Sequence, residues 1–337
     1  MFEDVLAQFK SAHGELHHLV GSTLHNIGTV LLRLNQNEKA LHSFERAVRI
    51  RRGAIGRDHP DVAVSLVKVG ISQLLLNRFD DALGTFREAL SVRRHALGHL
   101  HPSTARIYNN IGCVHVEFNE LKEARRAFES ALDVQRNALC YKPEDTKLLL
   151  GASTTLCNLA YLYTYRRAYT QASLVLEEAL ILQERVYDVT HPTVLSILDS
   201  LADSYGKGGD NANAVMKYKE AIMRLNFKHD NKENVGIDDV NDKDESSGDT
   251  GKEGRTSLIE PQLSTRKRKA LAILKYKLSK VYRNQNDYEC ALKSLHECLA
   301  ILDNSDVDIP TSELIRTVKD EKLEVEKQMK TTDLNWL

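Results

Sequence analysis

The chain has 337 residues, of which 42% are hydrophobic and 28% charged, and its formal net charge at pH 7 is -1. This neutral balance produces no overall field that would attract a nucleic acid or a membrane surface, so neither is expected as a partner. The sequence has no run of 18 apolar residues, and its start, MFEDVLAQFK, carries acids where a signal peptide needs a basic start, which favours a cytoplasmic location.

A fixed spacing of 42 residues dominates the sequence. It separates four phenylalanines, and small residues follow the same interval in three further columns: Phe2, Phe44, Phe86 and Phe128; Gly28, Gly70 and Gly112; Ala40, Ala82 and Ala124; Ala47, Ala89 and Ala131. A period between about 20 and 50 residues indicates a solenoid, whose units bury their apolar faces by stacking on neighbours. The sequence therefore predicts a repeat array.

The first predicted element, residues 1–17, is a half repeat that holds helix B only. Its sequence runs parallel to residues 43–60, which places Phe2 on Phe44 and Gly14 on Gly56. A helix B without its own helix A would leave Phe2 and Leu6 partly exposed. We expect either an array that continues upstream or an edge that docks a partner or a second copy of the chain. The alternative is a half repeat that only caps the array.

One full repeat is clearest at residues 59–100. Pro60 suits the first turn of helix A, because its missing N–H needs no partner there. The helical pattern breaks near Asn77, and a second stripe of apolar residues then runs to Gly98, which is a typical helix stop. The small residues allow helices A and B to approach closely, and Phe86 fills the remaining gap between them.

The same pattern predicts five repeats over residues 18–227, with boundaries near 58, 100, 142 and 190. The alignment column is Gly28, Gly70, Gly112, Ala160, Ala202 and Ser279. Asn110 and Asn158 are 48 residues apart instead of 42, which indicates a longer loop around residues 140–148.

Residues 228–263 form a predicted disordered, acidic linker. This segment is rich in Gly, Ser, Asn and charged residues and has few large apolar ones, so it cannot bury enough surface to offset the entropy of ordering. Residues 264–303 restore the repeat columns as a sixth repeat, and residues 311–330 are predicted to form a C-terminal capping helix. The helix A of the sixth repeat is strongly basic.

The spacing from Gly70 to Ala82, Phe86 and Ala89 matches the tetratricopeptide pattern. The strings GRDHPDVAVSL at 56–66, HPSTARIYNNIG at 101–112 and HPTVLSILDSLA at 191–202 resemble the arrays of kinesin light chains and of nephrocystin-3. This resemblance implies an all-α fold, a right-handed α-solenoid of antiparallel helix pairs. It also implies a non-catalytic scaffold or adaptor that binds partner peptides. The alternative is a regulatory segment of a larger signalling protein.

In the family that the chain resembles, peptides lie along the concave face of the A helices. Carried over to this sequence, the candidate groove residues are Asn26, Lys68, Arg106, Asn109, Asn110, Asn158, Tyr276, Lys277, Lys280 and Arg283. A row of amides can donate to and accept from a bound peptide backbone, and the cations suit acidic segments. The alternative interpretation is that the amides only tie adjacent helices together.

Chemistry that would indicate an enzyme or a cofactor is not found in the sequence. It contains no P-loop, GxSxG or HExxH motif, and we expect no catalytic residue, no cofactor and no metal. The pairs His13/His17 and His95/His99 have the spacing of a helical metal site but lack further ligands. His59, His101 and His191 precede prolines, which favours a role at helix starts.

The remaining basic and cysteine patterns allow two further interpretations. The run Arg266, Lys267, Arg268 and Lys269 is either a nuclear localisation signal or a solvated helix start. Five cysteines without a CxxC motif indicate neither a disulfide framework nor a zinc cluster. Cys298 occupies a small-residue column and is predicted to serve packing.

Overall fold

The computed structural model describes residues 2–226, 265–303 and 309–334, and in these ranges every regular element is an α-helix. The predicted linker at 228–263 lies outside the described residues. The helices are α1 (Phe2–His13), α2 (His18–Arg33), α3 (Asn37–Ile55), α4 (Pro60–Leu75), α5 (Phe79–Leu97), α6 (Pro102–Glu117), α7 (Leu121–Tyr141), α8 (Thr146–Tyr165), α9 (Tyr169–Glu184), α10 (Pro192–Lys207), α11 (Asn211–Asn226), α12 (Thr265–Asn284), α13 (Tyr288–Asp303) and α14 (Ile309–Leu334).

The chain divides into two compact units, Met1–Asp188 (unit 1) and Val189–Leu337 (unit 2). In unit 1 each helix from α2 to α9 packs on the next, so that the helix pairs stack. In unit 2 the pairs α10/α11 and α12/α13 pack in the same way, and α14 lies against α13 and α12. Of the five repeats predicted at 18–227, the first four lie in unit 1 and the fifth, α10 with α11, lies in unit 2.

The A helices begin where the His-Pro motif places them. Pro60, Pro102 and Pro192 occupy the first turns of α4, α6 and α10. The histidine before each proline is the N-cap, and its Nδ1 accepts a hydrogen bond from the backbone N–H two residues later, at 3.1 to 3.3 Å. The predicted role of these histidines at helix starts is confirmed, because the ring satisfies an N–H that the helix leaves free.

The turns from helix A to helix B repeat one backbone conformation. Asn35, Asn77, Asn119 and Asn286 all have φ between 56° and 59°. Asparagine tolerates this left-handed region better than most residues, because its short amide can bond locally. Arg167 holds the same turn position with φ 58° and has no such advantage.

The contact between a glycine of helix A and a phenylalanine of helix B fixes how closely the helices pack in the first three repeats. A Cβ on Gly70 would lie 2.6 Å from Phe86 Cε1, and one on Gly112 would lie 2.4 Å from Phe128 Cε1. Real Cβ atoms do not approach so closely, so only glycine fits against a ring here. The predicted close approach of the two helices is confirmed.

In each of the first three repeats, helix B is longer than helix A. Helices α3 and α5 have 19 residues and α7 has 21, against 16 in α2, α4 and α6. Helix α5 ends at Leu97, and Gly98 follows with φ 84°, as its place in the sequence predicted.

The two terminal helices pack on their neighbours through single faces. In α1, the half-buried Leu6 and Phe9 contact the cluster of Val20, Leu24 and Ile50. In α14, Val318 and Val325 are almost fully buried. Helix α14 spans Ile309–Leu334, which is longer at both ends than the predicted capping helix at 311–330.

Candidate functional site

The A helices of unit 1 lie side by side. Helix α4 contacts α2 and α6, and α6 contacts α8, so their outward side chains share one face. Lys68 lies on α4, Arg106, Asn109 and Asn110 on α6, and Asn158 on α8. The structure therefore brings the middle group of the predicted groove residues together.

A cavity of about 300 Å³ opens on this face where α4, α5 and α6 meet. Its walls combine three cations with apolar side chains: Lys68, Arg93, Arg106, Val64, Val67, Ile107, Pro102 and Ser103. No acidic side chain lines it. The cavity therefore concentrates positive charge in a partly apolar pocket, where an anion interacts more strongly than it would in open water.

Arg93 reaches this cavity from α5. Its Nε is buried and has no hydrogen-bond acceptor. Burial lowers the pKa of the Arg93 guanidinium, Asp61 opposes that shift, and Arg106 adds to it. Burial also lowers the pKa of Lys68, helped by Arg106 and Arg33. The site holds cations that an incoming carboxylate would stabilise.

The repeat equivalent of Arg93 donates through the other two nitrogens of its guanidinium, Nη1 and Nη2. Arg51 occupies the same column 42 residues earlier. It donates to Ser65 Oγ at 2.8 Å, to Ser22 Oγ at 3.2 Å and to the Asp61 carbonyl at 2.9 Å. The residues at the columns of those two serines, one repeat later, are Val64 and Ile107. Both hydroxyl partners are thus replaced by apolar side chains.

The asparagines next to the cavity divide into bonded and unbonded amides. Asn158 Nδ2 donates to Asn109 Oδ1 at 3.0 Å, so this pair ties α6 to α8 as the alternative interpretation expects. Asn110 Nδ2, by contrast, is buried without an acceptor. Asn26 is exposed on α2. After the Arg93 Nε, the Asn110 amide is therefore a second buried donor without an acceptor, and it lies on the same helix face as Arg106.

Two aromatic residues extend this face along α8. Tyr161 and Tyr165 lie one turn apart, each with 61% of its surface exposed. Exposed aromatic rings beside unsatisfied polar donors are typical of protein-binding surfaces. Neither tyrosine nor Arg93 was among the residues selected from the sequence. The 42-residue column of Arg51 and Arg93 was the signal that could have revealed the latter.

The cations predicted for the groove in the sixth repeat have partners inside unit 2. Lys277 Nζ contacts Asp199 Oδ2 at 2.8 Å and Asp203 Oδ2 at 2.9 Å, and the Tyr218 hydroxyl donates to Asp203. The two carboxylates raise the pKa of Lys277 despite its burial. This cluster joins α10, α11 and α12, so Lys277 is already engaged within unit 2.

Of the other two groove cations of α12, Arg283 has partners within unit 2 and Lys280 is exposed. Arg283 Nη1 donates to Glu321 at 2.7 Å and its Nε to Gln328 at 2.9 Å, which ties α12 to α14. Lys280 is exposed, and its Nζ lies 4.5 Å from the centre of the Tyr276 ring. Only Lys280 among these cations remains available to a partner.

Cysteine thiols and metal-ligating side chains could have indicated a chemistry other than peptide binding. The Cys298 thiol is buried and donates to the Ala272 carbonyl, as predicted for a packing residue, and burial raises its pKa to about 12. Across the described residues, no group of three or more His, Cys, Asp or Glu side chains could hold a metal ion. Within those same ranges, no helix is long and apolar enough to cross a membrane.

Two family models, both described as tetratricopeptide repeat, match the sequence. One matches residues 1–53, 20–95 and 61–137, and the other matches residues 153–193, so together they cover more than half of the chain. The chain belongs to the tetratricopeptide-repeat family. Its helix pairs accordingly form a protein–protein interaction scaffold. No curated protein matches the sequence.

Solved structures of three other proteins are similar in fold. BtubC (BKLC) from P. vanneervenii has 15% sequence identity and a TM-score of 0.57, covering 75% of this chain and 94% of its own. A candidate kinesin light chain of Podosopora anserina with nearly identical TPR-like repeats has 17% identity and a TM-score of 0.52, with coverage of 60% and 93%. The type IV pilus biogenesis factor PilW has 16% identity and a TM-score of 0.51, with coverage of 85% and 96%. At these identities the likeness concerns the fold alone.

Proposed function

We propose that unit 1 binds an acidic peptide segment of a partner protein and places one carboxylate in the cavity between α4, α5 and α6. The observation that carries this proposal is the buried Arg93 Nε, which has no acceptor in a pocket that also holds Lys68 and Arg106. A carboxylate supplies the missing acceptor, and its negative charge interacts favourably with all three cations. Charge-assisted hydrogen bonds of this kind are among the strongest in proteins.

The neighbouring amides and tyrosines suit the rest of such a segment. Asn110 Nδ2 can donate to a peptide carbonyl, and the exposed Asn26 can both donate and accept. The pair Asn109 and Asn158 holds α6 and α8 in place beside it. The rings of Tyr161 and Tyr165 offer surface to an apolar or aromatic peptide residue.

This binding activity supports an adaptor role in which the chain selects cargo or client proteins by their acidic segments. A cargo adaptor similar to the kinesin light chains, working in the cytoplasm and without catalysis of its own, is the specific form that we propose. The shared sequence strings at 56–66 and 101–112 support it.

A positional-scanning library of decapeptides tests the proposal on the full chain. We expect enrichment of Asp and Glu, with affinity that falls as salt rises because the interaction is electrostatic. In the variant Arg93→Gln with Arg106→Gln, that enrichment should disappear and affinity should drop about tenfold to a hundredfold, which corresponds to the loss of charged hydrogen bonds. Gln is also the natural residue at the column of Arg93 in the next two repeats, at Gln135 and Gln183.

The matched control is Arg87→Gln, which removes one positive charge from an exposed position on the same helix as Arg93. This control should retain the acidic preference. The proposal is wrong if the library shows no acidic preference, or if Arg87→Gln weakens binding as much as the double variant does.

A further inference from the structure

A second cavity, of about 430 Å³, lies within unit 2 between α10, the end of α11 and the first half of α12. It occupies the same place in the repeat as the cationic cavity of unit 1. Ile273 precedes Ser279 by six residues, as Arg106 precedes Gly112, and Leu225 follows Ala202 by 23 residues, as Arg93 follows Gly70.

The equivalent positions carry different chemistry in the two units. Leu225 stands in the column of Arg93, and Ile273 stands in the column of Arg106. Ala270 replaces Ser103, while Leu274 keeps the apolar character of Ile107. The two arginine positions of the unit 1 cavity are therefore aliphatic in unit 2, whereas Ser196 and Asp199 stand in the columns of Val64 and Val67. The volume is within the range of sites that take small ligands or side chains.

The charges around this second cavity also differ from those in unit 1. The carboxylate of Asp199, on one wall, pairs with Lys277 at 2.8 Å, and Lys277 also pairs with Asp203 at 2.9 Å. Lys267 lies at the rim, is exposed, and has no ion-pair partner among the described residues. The cavity thus offers a mostly apolar interior with Lys267 at its edge, unpaired as far as the described part of the chain goes.

We infer that this cavity binds a branched aliphatic side chain of a partner peptide, with an acidic residue of the same peptide close to Lys267. Burial of an apolar group against the aliphatic walls is favourable, because it removes apolar surface from water. Charge complementarity with Lys267 favours an acidic neighbour over a basic one. The inference rests on the proposed peptide-binding function and assigns a second specificity to unit 2.

The test repeats the decapeptide library on the full chain and on the variant Ile273→Arg, which places the residue of unit 1 in the wall. The wild type should enrich Leu, Ile or Val next to an acid. Ile273→Arg should reduce the affinity for such peptides at least about tenfold, whereas the conservative variant Ile273→Leu should retain it. The acidic preference that depends on Arg93 and Arg106 should persist in every one of these proteins.

The outcomes separate this inference from the proposed function. If aliphatic enrichment is absent, or unaffected by Ile273→Arg, while the acidic preference persists, the second specificity is wrong and the proposed function stands. If no peptide is enriched at all, both are wrong. If aliphatic enrichment emerges only after Leu258 and Ile259 are both replaced by Ser, the chain's own segment fills the cavity and a partner peptide is not its occupant.

Discussion

Arg51 and Arg93 occupy the same position in successive repeats, yet the surroundings of their guanidinium groups differ. Two serine hydroxyls and a carbonyl accept from the Arg51 Nη groups, whereas at Arg93 both hydroxyls are replaced by apolar side chains and the buried Nε has no acceptor. A buried donor without a partner costs roughly 1 to 3 kcal/mol, which a ligand could recover by supplying an acceptor. This difference separates a structural arginine from a candidate binding residue.

An internal acceptor for Arg93 should therefore compete with the ligand. In Val64→Ser, a hydroxyl appears at the column of Ser22, which accepts from Arg51. We expect the affinity for acidic peptides to fall about threefold to tenfold, the value of one ordinary hydrogen bond, although no charge is removed. Val64→Thr, which has the same hydroxyl and nearly the original shape, should weaken binding to a similar degree. Titration of a labelled acidic peptide measures both, and unchanged affinities would contradict the prediction.

The contact between Gly70 and Phe86 should make Gly70→Ala destabilising. The new Cβ would meet Phe86 Cε1 at 2.6 Å, and overpacking of this kind costs about 1 to 3 kcal/mol. Adding Phe86→Leu should recover part of the loss, because Ala160 and Leu176 hold the same columns in the fourth repeat. Urea unfolding of the double-mutant cycle gives the coupling energy. Gly84→Ala is the control, since nothing lies within 4 Å of its Cβ. Equal stability of the two alanine variants would refute the prediction.

Arg167→Asn should stabilise unit 1. Arg167 adopts φ 58° at the turn where the equivalent residues are asparagines. An ordinary side chain in this left-handed region costs about 1 to 2 kcal/mol, and asparagine costs less. We expect a gain of about 0.5 to 1 kcal/mol by chemical denaturation. The neighbouring Arg166 has φ -80°, so Arg166→Asn should give no gain, and a similar change in both variants would mean that backbone strain is not the cause.

Lys277→Met should destabilise unit 2. Removal of the ammonium leaves Asp199 and Asp203 facing each other without a counter-charge. For a partly exposed cluster we expect a loss of about 1 to 3 kcal/mol at pH 7, below the value for a fully buried pair. Burial already raises the pKa of Asp199, and loss of Lys277 should raise it further. A carboxyl with a raised folded-state pKa costs stability at high pH and regains it as protons bind.

The loss in Lys277→Met should therefore shrink as the pH falls through the raised pKa of Asp199. Thermal unfolding followed by circular dichroism over a pH series measures this dependence. Lys280→Met provides the matched control, because Lys280 is exposed above the Tyr276 ring. A loss that is the same for both variants, or independent of pH, would contradict the proposed role of the carboxylates.

The sequence predicted those features that the repeat itself imposes. The start at Pro60, the stop at Gly98 and the close fit of Gly70 on Phe86 all follow from local backbone and packing rules that recur every 42 residues. At these positions the 42-residue period and the local backbone and packing rules predict the same structure, so each repeat supports the assignment of the others.

The features that the sequence did not reveal depend on contacts between distant residues. The sequence around Lys277 did not indicate an ion-pair partner, because Asp199 lies 78 positions away. Arg283 pairs with Glu321, 38 positions later. Arg93 was overlooked because groove residues were sought on the A helices, whereas its long side chain reaches the cavity from helix B. Tertiary contacts decide which charges remain available.

The most direct test of the central claim observes the Nε–H of Arg93 by nuclear magnetic resonance. Its ¹H–¹⁵N signal can be assigned by its absence in Arg93→Lys. When the best acidic decapeptide from the library is added to the full chain, this signal should move downfield and its exchange with water should slow, while the signal of Arg51 stays in place. Peptide binding that leaves the Arg93 signal unchanged would contradict the account.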